Sequence, residues 1–194
     1  YVKCSNCDYA ANVEAVQVPI AAPVDASGLE PAHVEDTPET PTIATLVAML
    51  NERFPRTDRP WTAGDTLKNV VVLLRHPDGT SEPLAIGVPG DREVDNKRLE
   101  AQVVPAELEA FTEEHFAANP ALVKGYIGPG VLGAEQSSKI RYLLDPRVVP
   151  GTRWITGANQ PGRHVFDLVA GRDFTADGTV EAAEVRAGDP APDG

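Results

Sequence analysis

The sequence predicts an α+β domain, a mixed β-sheet flanked by helices. Two observations carry this. Five runs of strand length, "NVVVLLRH", "EPLAIGVPG", "KIRYLLD", "RWITGAN" and "HVFDLV", are apolar and set off by turn-forming residues. Segments with helical spacing fall between some of these runs but not all, so strands and helices do not alternate strictly as in a doubly wound sheet.

In chain order, residues 19–41, "PIAAPVDASGLEPAHVEDTPETP", carry Pro, Ala and acids with neither a helical nor a strand period, and read as an extended connector. Thr42 is placed to cap a helix in which Ile43, Leu46, Val47 and Leu50 share a face. That helix is expected to stop near Phe54, because Pro55 disfavours helical dihedrals at the residue before it. After Lys68, "NVVVLLRH" reads as a central strand buried on both faces. "PDG" makes the turn, and "EPLAIGVPG" returns as the second strand of a hairpin. "DNKRLEAQ" is a short helix. "PAELEAFTEEHFAANP" reads as a longer one, with Pro105 at its first position and Leu108, Phe111, His115 and Phe116 along one face. A loop, "KGYIGPG" (Lys124 to Gly130), precedes the last three strands. No internal repeat is visible.

At 194 residues the chain can bury one sizeable core, and no apolar run approaches the roughly 20 residues that cross a bilayer. It starts at Tyr1 inside a polar motif and stops in "GDPAPDG", a linker composition, so it is expected to be a piece of a longer protein. The net charge of -12 argues against a generally basic nucleic-acid surface. Its distribution softens that argument: residues 1–45 hold seven acids and one base, residues 176–194 five acids and one base, and the middle 17 acids against 15 bases. The two cysteines, Cys4 and Cys7 in "CSNC", fit half of a zinc site or a redox pair, with no nearby ligands to complete a zinc site. They read as reduced thiols of a cytoplasmic protein, and no metal is expected.

Five features can carry chemistry, each with a plainer reading. The "GYIGPG" glycines let a backbone approach a ligand closely, or simply punctuate a turn. Lys68, at the mouth of the central strand, can meet a phosphate or an ester carbonyl, or be solvated. Asp145, ending "IRYLLD" before a proline, can orient a water or start a turn. His164, after "GANQPGR", can be a base, a donor, a pocket wall or a surface residue. Arg92, Lys97 and Arg98 surround a helix start that can hold a phosphate, but Asp91, Glu93 and Asp95 oppose it, favouring a solvated mixed-charge turn. Ser-His-Asp, Walker, dinucleotide-fold and HExxH signatures are absent from the sequence.

Taken in order, these stretches resemble bacterial-type prolyl-tRNA synthetases. "CSNCDYAANVEAV" resembles the segment leaving that family's class II catalytic core, and "EVRAGDPAPDG" the return to it. Between them, "TLKNVVVLL", "GDREVDNKRLEA", "GYIGPG", "LLDPRVV" and "GANQPGRHVFDLVAGRDF" resemble landmarks of the family's insertion domain. The resemblance implies four parts: a flank at 1–18, the connector at 19–41, an editing domain at 42–175 and a return flank at 176–194. It further implies hydrolysis of mischarged alanyl-tRNA(Pro), because a pocket built for proline rejects the smaller alanine by only about 1–3 kcal/mol and a second site removes the error. The family's essential lysine falls on Lys68, and its GxxxP loop on Gly125, Tyr126, Ile127, Gly128 and Pro129, whose N–H groups would stabilise the oxyanion. Its strand-end aspartate falls on Asp145 and its pocket histidine on His164, both as substrate contacts. Asp95 stands where the family commonly has asparagine. Water would attack directly, without cofactor, and ATP would serve only the parent enzyme. The implied partners are the tRNA(Pro) 3′ end and the rest of a homodimeric synthetase, with no membrane. A non-catalytic tRNA-binding insertion, a freestanding deacylase acting in trans and a zinc-binding module built on "CSNC" are the rival readings.

Overall fold

The computed structural model describes residues 1–192 and opens with a small hairpin, β1 (Val2–Lys3) and β2 (Ala10–Ala11). Then come β3 (His33–Asp36), α1 (Ile43–Arg53), β4 (Leu67–Arg75), β5 (Ser81–Pro89) and α2 (Asn96–Val103). These are followed by β6 (Glu107–Ala110), α3 (Glu113–Ala118), β7 (Arg141–Leu144), β8 (Arg153–Gly157), β9 (Arg163–Val169) and β10 (Gly178–Thr179). The last two residues of the expected return flank, 193 and 194, lie outside the described residues. Among the described residues no helix is long and apolar enough to cross a membrane.

A five-stranded sheet runs β10-β7-β5-β4-β6, parallel at β10–β7 and β7–β5 and antiparallel elsewhere. The expected mixed sheet is therefore present, and the β4–β5 hairpin turns where "PDG" predicts. β8 and β9 leave it to form a second, antiparallel sheet in the order β3-β9-β8. Alternate residues of β4 and β5 face two different cores. Val71, Ala85 and Tyr142 pack with Leu122, Leu132, Trp154 and Phe174 on one side. Val72, Leu74, Leu84, Ile86 and Val88 pack with Leu99, Val180, Ala182 and Ala183 on the other. Cover on both faces is why this strand reads as an unbroken apolar run.

Helix α1 starts as predicted. The Thr42 hydroxyl accepts from the Thr45 amide, and the Thr45 hydroxyl accepts from the Thr42 amide in return. Its buried face, Leu46 and Leu50, packs on Ile155 and Phe166 of the second sheet. The sequence misplaces three other features. The helix expected over Pro105–Pro120 is two elements, because Glu107–Ala110 closes the open edge of β4, with Val72 opposite Ala110 and Arg75 opposite Glu107. Satisfying that row of backbone groups outweighs the helical spacing of the side chains. Leu108 joins one core while Phe111 and Phe116 pack against the other, and Thr112 caps the helix that remains. The connector 19–41 is not all linker: His33–Asp36, though extended, pairs with β9 as a charged edge strand.

The third correction concerns Arg98, expected on a solvated helix start. It is fully buried. Its guanidinium donates to the Val13 carbonyl and to Glu181 Oε2 at 3.1 Å, while Glu181 Oε1 accepts from the Val18 amide. The segments before and after the main body are thus held to α2 by one side chain. Nearby, Asp95 caps α2 by accepting from the amides of Lys97 and Arg98.

Candidate functional site

A cavity of about 420 Å³ opens where the start of β4, the end of β8 and the N-terminus of α1 meet. Of the eight residues singled out in the sequence, Lys68, Gly125, Ile127 and His164 lie in its wall. Tyr126 and Gly128 are outside the lining but touch it, Tyr126 against the His164 ring and Gly128 against the Gly157 carbonyl, and Pro129 is not in the lining. Asp145 is elsewhere.

The glycines bring the loop against the protein's own backbone. A methyl group at Gly128 would lie 1.7 Å from the Gly157 carbonyl oxygen, and one at Gly157 would lie 2.1 Å from that of Tyr126. Gly125 has φ +84 and its missing side chain would meet Pro41 Cβ at 2.9 Å. Asn159, itself at φ 56, then locks the loop. Its amide donates to the Tyr126 carbonyl at 2.8 Å, and its Oδ1 accepts from the Gly128 amide at 3.0 Å. The expectation that the loop N–H groups serve an oxyanion is thereby narrowed. The amides of Tyr126 and Gly128 are used by Val123 and Asn159, whereas those of Gly125 and Ile127 have no acceptor among the described residues.

Asn69 supplies a second lock that the sequence reading missed. Its Nδ2 donates to the Ile127 carbonyl and to Thr156 Oγ1, both at 3.0 Å, and its Oδ1 accepts from the Tyr142 hydroxyl at 2.6 Å. Burial pushes the Tyr142 phenol well up, so it stays a donor at every physiological pH. The available signal was a lone amide at the head of the apolar run "NVVVLL".

Lys68 Nζ lies 2.7 Å from Glu93 Oε1, with side-chain exposures of 19% and 77%, respectively. His164 is 4% exposed, its ring centroid 5.4 Å from that of Tyr126, and its Nδ1 is 2.6 Å from the Thr37 hydroxyl. Thr37, at the end of the supposed connector, therefore orients the ring; Nε2 has no protein partner among the described residues. Burial lowers the His164 pKa to about 4, so the ring is neutral at pH 7. An unfolded chain takes up that proton near pH 6.5, whereas the folded one resists until about 4. Stability is therefore expected to fall as pH drops from about 6.5 to about 4, by roughly 2–3 kcal/mol from this residue. Denaturant unfolding at pH 7 and 4.5 checks it: His164→Gln should show a correspondingly smaller acid loss, and an equal loss would exclude His164 as the cause.

Asp145 does not reach this cavity. It is fully buried, and its Oδ1 accepts from the amide and Nη1 of Arg147, making the turn that was the plainer reading. Its Oδ2 accepts from the Ala183 amide at 2.9 Å, and Arg147 continues to Asp189, which also binds Arg92. Burial alone would raise the Asp189 carboxyl, but hydrogen bonds from Arg92 and the Arg186 amide and the charges of Arg92 and Arg147 hold it at about 2. Asp145 and Arg92 anchor residues 182–189, and neither lines this cavity. Cys4 and Cys7 are free, and among the described residues no three His, Cys, Asp or Glu side chains gather as a metal site.

Residues 37–174 match a family model described as the aminoacyl-tRNA editing domain. The chain is 75% identical over 188 residues to a proline–tRNA ligase of Kineococcus radiotolerans, covering 96% of this chain and 32% of that protein. It is 67% identical to a proline–tRNA ligase of Cutibacterium acnes over 96% of the chain and 32% of the relative. A Nocardioides proline–tRNA ligase is 64% identical over the whole chain and 33% of its own length. The chain thus spans about a third of the curated relatives it matches.

Proposed function

The chain belongs to the aminoacyl-tRNA editing domain family, and from that membership we propose that it is the editing part of a proline–tRNA ligase, hydrolysing alanyl-tRNA(Pro) in cis. The observation that carries the proposal is the convergence of Lys68, the Gly125–Ile127 wall and the buried His164 on one cavity inside the matched span. In this reading the 3′-terminal adenosine enters with a phosphate toward Lys68. The N-terminal end of α1, represented in the wall by Thr42 and Ile43, adds partial positive charge on the same cavity. The ester carbonyl lies along the loop, where the amides of Gly125 and Ile127 are the donors left for its developing oxyanion.

Water is the proposed nucleophile. The threonine hydroxyls in the wall are already engaged: Thr40 with the Thr37 carbonyl, Thr42 with the α1 cap, and Thr156 with the Leu67 carbonyl and Asn69. Neutral His164 offers Nε2 as a hydrogen-bonding wall, one partner for a water or for the amino group of the ester. The 2′-hydroxyl of the adenosine helps position the water, and no cofactor enters the step. The parent enzyme is proposed to be a homodimeric, ATP-using ligase of the cytoplasm.

The test is to incubate this chain with alanyl-tRNA(Pro) and prolyl-tRNA(Pro) and follow ester loss over time against a no-enzyme control. Faster loss of the alanyl ester is expected. Equal rates for both esters would remove the selectivity from the proposal. Absence of turnover here and in the full-length parent would remove the activity.

A further inference from the structure

Resting on that editing reading, we infer that Glu93 is a resident counter-ion for Lys68, holding the place of the substrate phosphate until that phosphate displaces it. Both residues line the cavity, and Glu93 is the one hydrogen-bonding partner of the Lys68 ammonium among the described residues. The two ends of the pair differ in a way that suits exchange. The lysine is mostly covered and stays in place, while the glutamate side chain is mostly exposed and is the half that can swing into solvent.

The backbone beneath Glu93 is fixed independently of its carboxylate. The Glu93 amide donates to Glu184 Oε1, the Glu184 amide donates to the Glu93 carbonyl at 2.9 Å, and Val94 bridges to Ala183. Arg92, beside it, is held by two hydrogen bonds to Asp189. The carboxylate can therefore leave Lys68 without unfolding the loop that carries it. An empty cavity then presents no unpaired ammonium, and an anion must compete for the lysine. Discrimination follows in favour of ligands that bring a phosphate together with enough further contacts to win the exchange. A free anion competes for Lys68 alone; a terminal nucleotide also gains the loop and the His164 wall.

The probe is adenosine 5′-monophosphate, the phosphate-bearing terminal nucleotide without its ester. Its dissociation constant is measured on wild type, Glu93→Gln, Lys68→Ala and the double variant, alongside KM and kcat for alanyl-tRNA(Pro). An exposed ion pair is worth up to about 1 kcal/mol, or about fivefold, so Glu93→Gln should bind the nucleotide about fivefold more tightly. KM should fall by a similar factor, with the gain in KM rather than kcat. In the Lys68→Ala background the Glu93→Gln gain should vanish. No gain in Glu93→Gln, or a gain that survives without Lys68, would overturn the inference, the latter by marking a general change of surface charge. Tighter nucleotide binding with no ester hydrolysis by any of these proteins or by the full-length parent would support the counter-ion and sink the editing reading. Hydrolysis by wild type with no gain in Glu93→Gln would do the reverse.

Discussion

Lys68→Ala is expected to lower kcat/KM for alanyl ester hydrolysis by about 100-fold, the scale seen when a preorganised electrostatic contact is removed from an active site. Its stability should change by less than about 1 kcal/mol, because the lysine sits at the start of β4 and its one ionic partner among the described residues is solvent-exposed. The pair of outcomes is what gives the experiment its force. A large loss of activity with an unchanged unfolding midpoint assigns the ammonium to the substrate. Unchanged activity would take Lys68 out of the site, and a parallel loss of stability would make it a structural residue.

Gly157→Ala should have a comparable effect for a different reason. Its new methyl would sit 2.1 Å from the Tyr126 carbonyl oxygen and 2.8 Å from the Ile127 amide nitrogen, and both are backbone atoms that cannot rotate aside. The loop must shift, taking the Ile127 amide with it. Overpacking of this kind costs about 1–3 kcal/mol, and a displacement of about 1 Å at a reacting centre costs about 100-fold in rate. Gly79→Ala is the control. Gly79 has φ +86 in the β4–β5 turn with nothing within 4 Å of an added methyl, so strain there should lower stability and spare hydrolysis. Wild-type rates in Gly157→Ala would show that the loop's seat on β8 is irrelevant to turnover.

The long strands were legible because their burial on both faces leaves a continuous apolar run that no helix of similar length would need. The segment from Pro105 was not legible for a reason outside itself. Its side chains satisfy helical spacing, but the deciding fact was the open edge of β4, and that is set by residues 72–75. The site divides in the same way. Lys68, the glycine loop and His164 could be placed on the sequence through resemblance, and the cavity brings them together. Asp145 could not be sorted, because a carboxylate at a strand end looks the same whether it faces a ligand or the chain's own amides at residues 147 and 183. Thr37 and Asn69 escaped notice since their roles exist only once distant segments meet: His164 lies 127 positions from Thr37, and Tyr142 lies 73 from Asn69.

The clasp at Arg98 has a consequence for any longer chain that carries this unit. The Val18 amide and the Glu181 carboxylate are in contact although 163 positions separate them, so everything between forms a closed ring with its two ends side by side. A carrier fold meets such a ring as it would meet a short surface loop and need not stretch to accommodate it. The entropic cost of closing a flexible loop grows only slowly, by about 0.6 kcal/mol for each doubling of length. Seen from the carrier, then, the length of the enclosed unit adds little to the entropic cost of closing the ring.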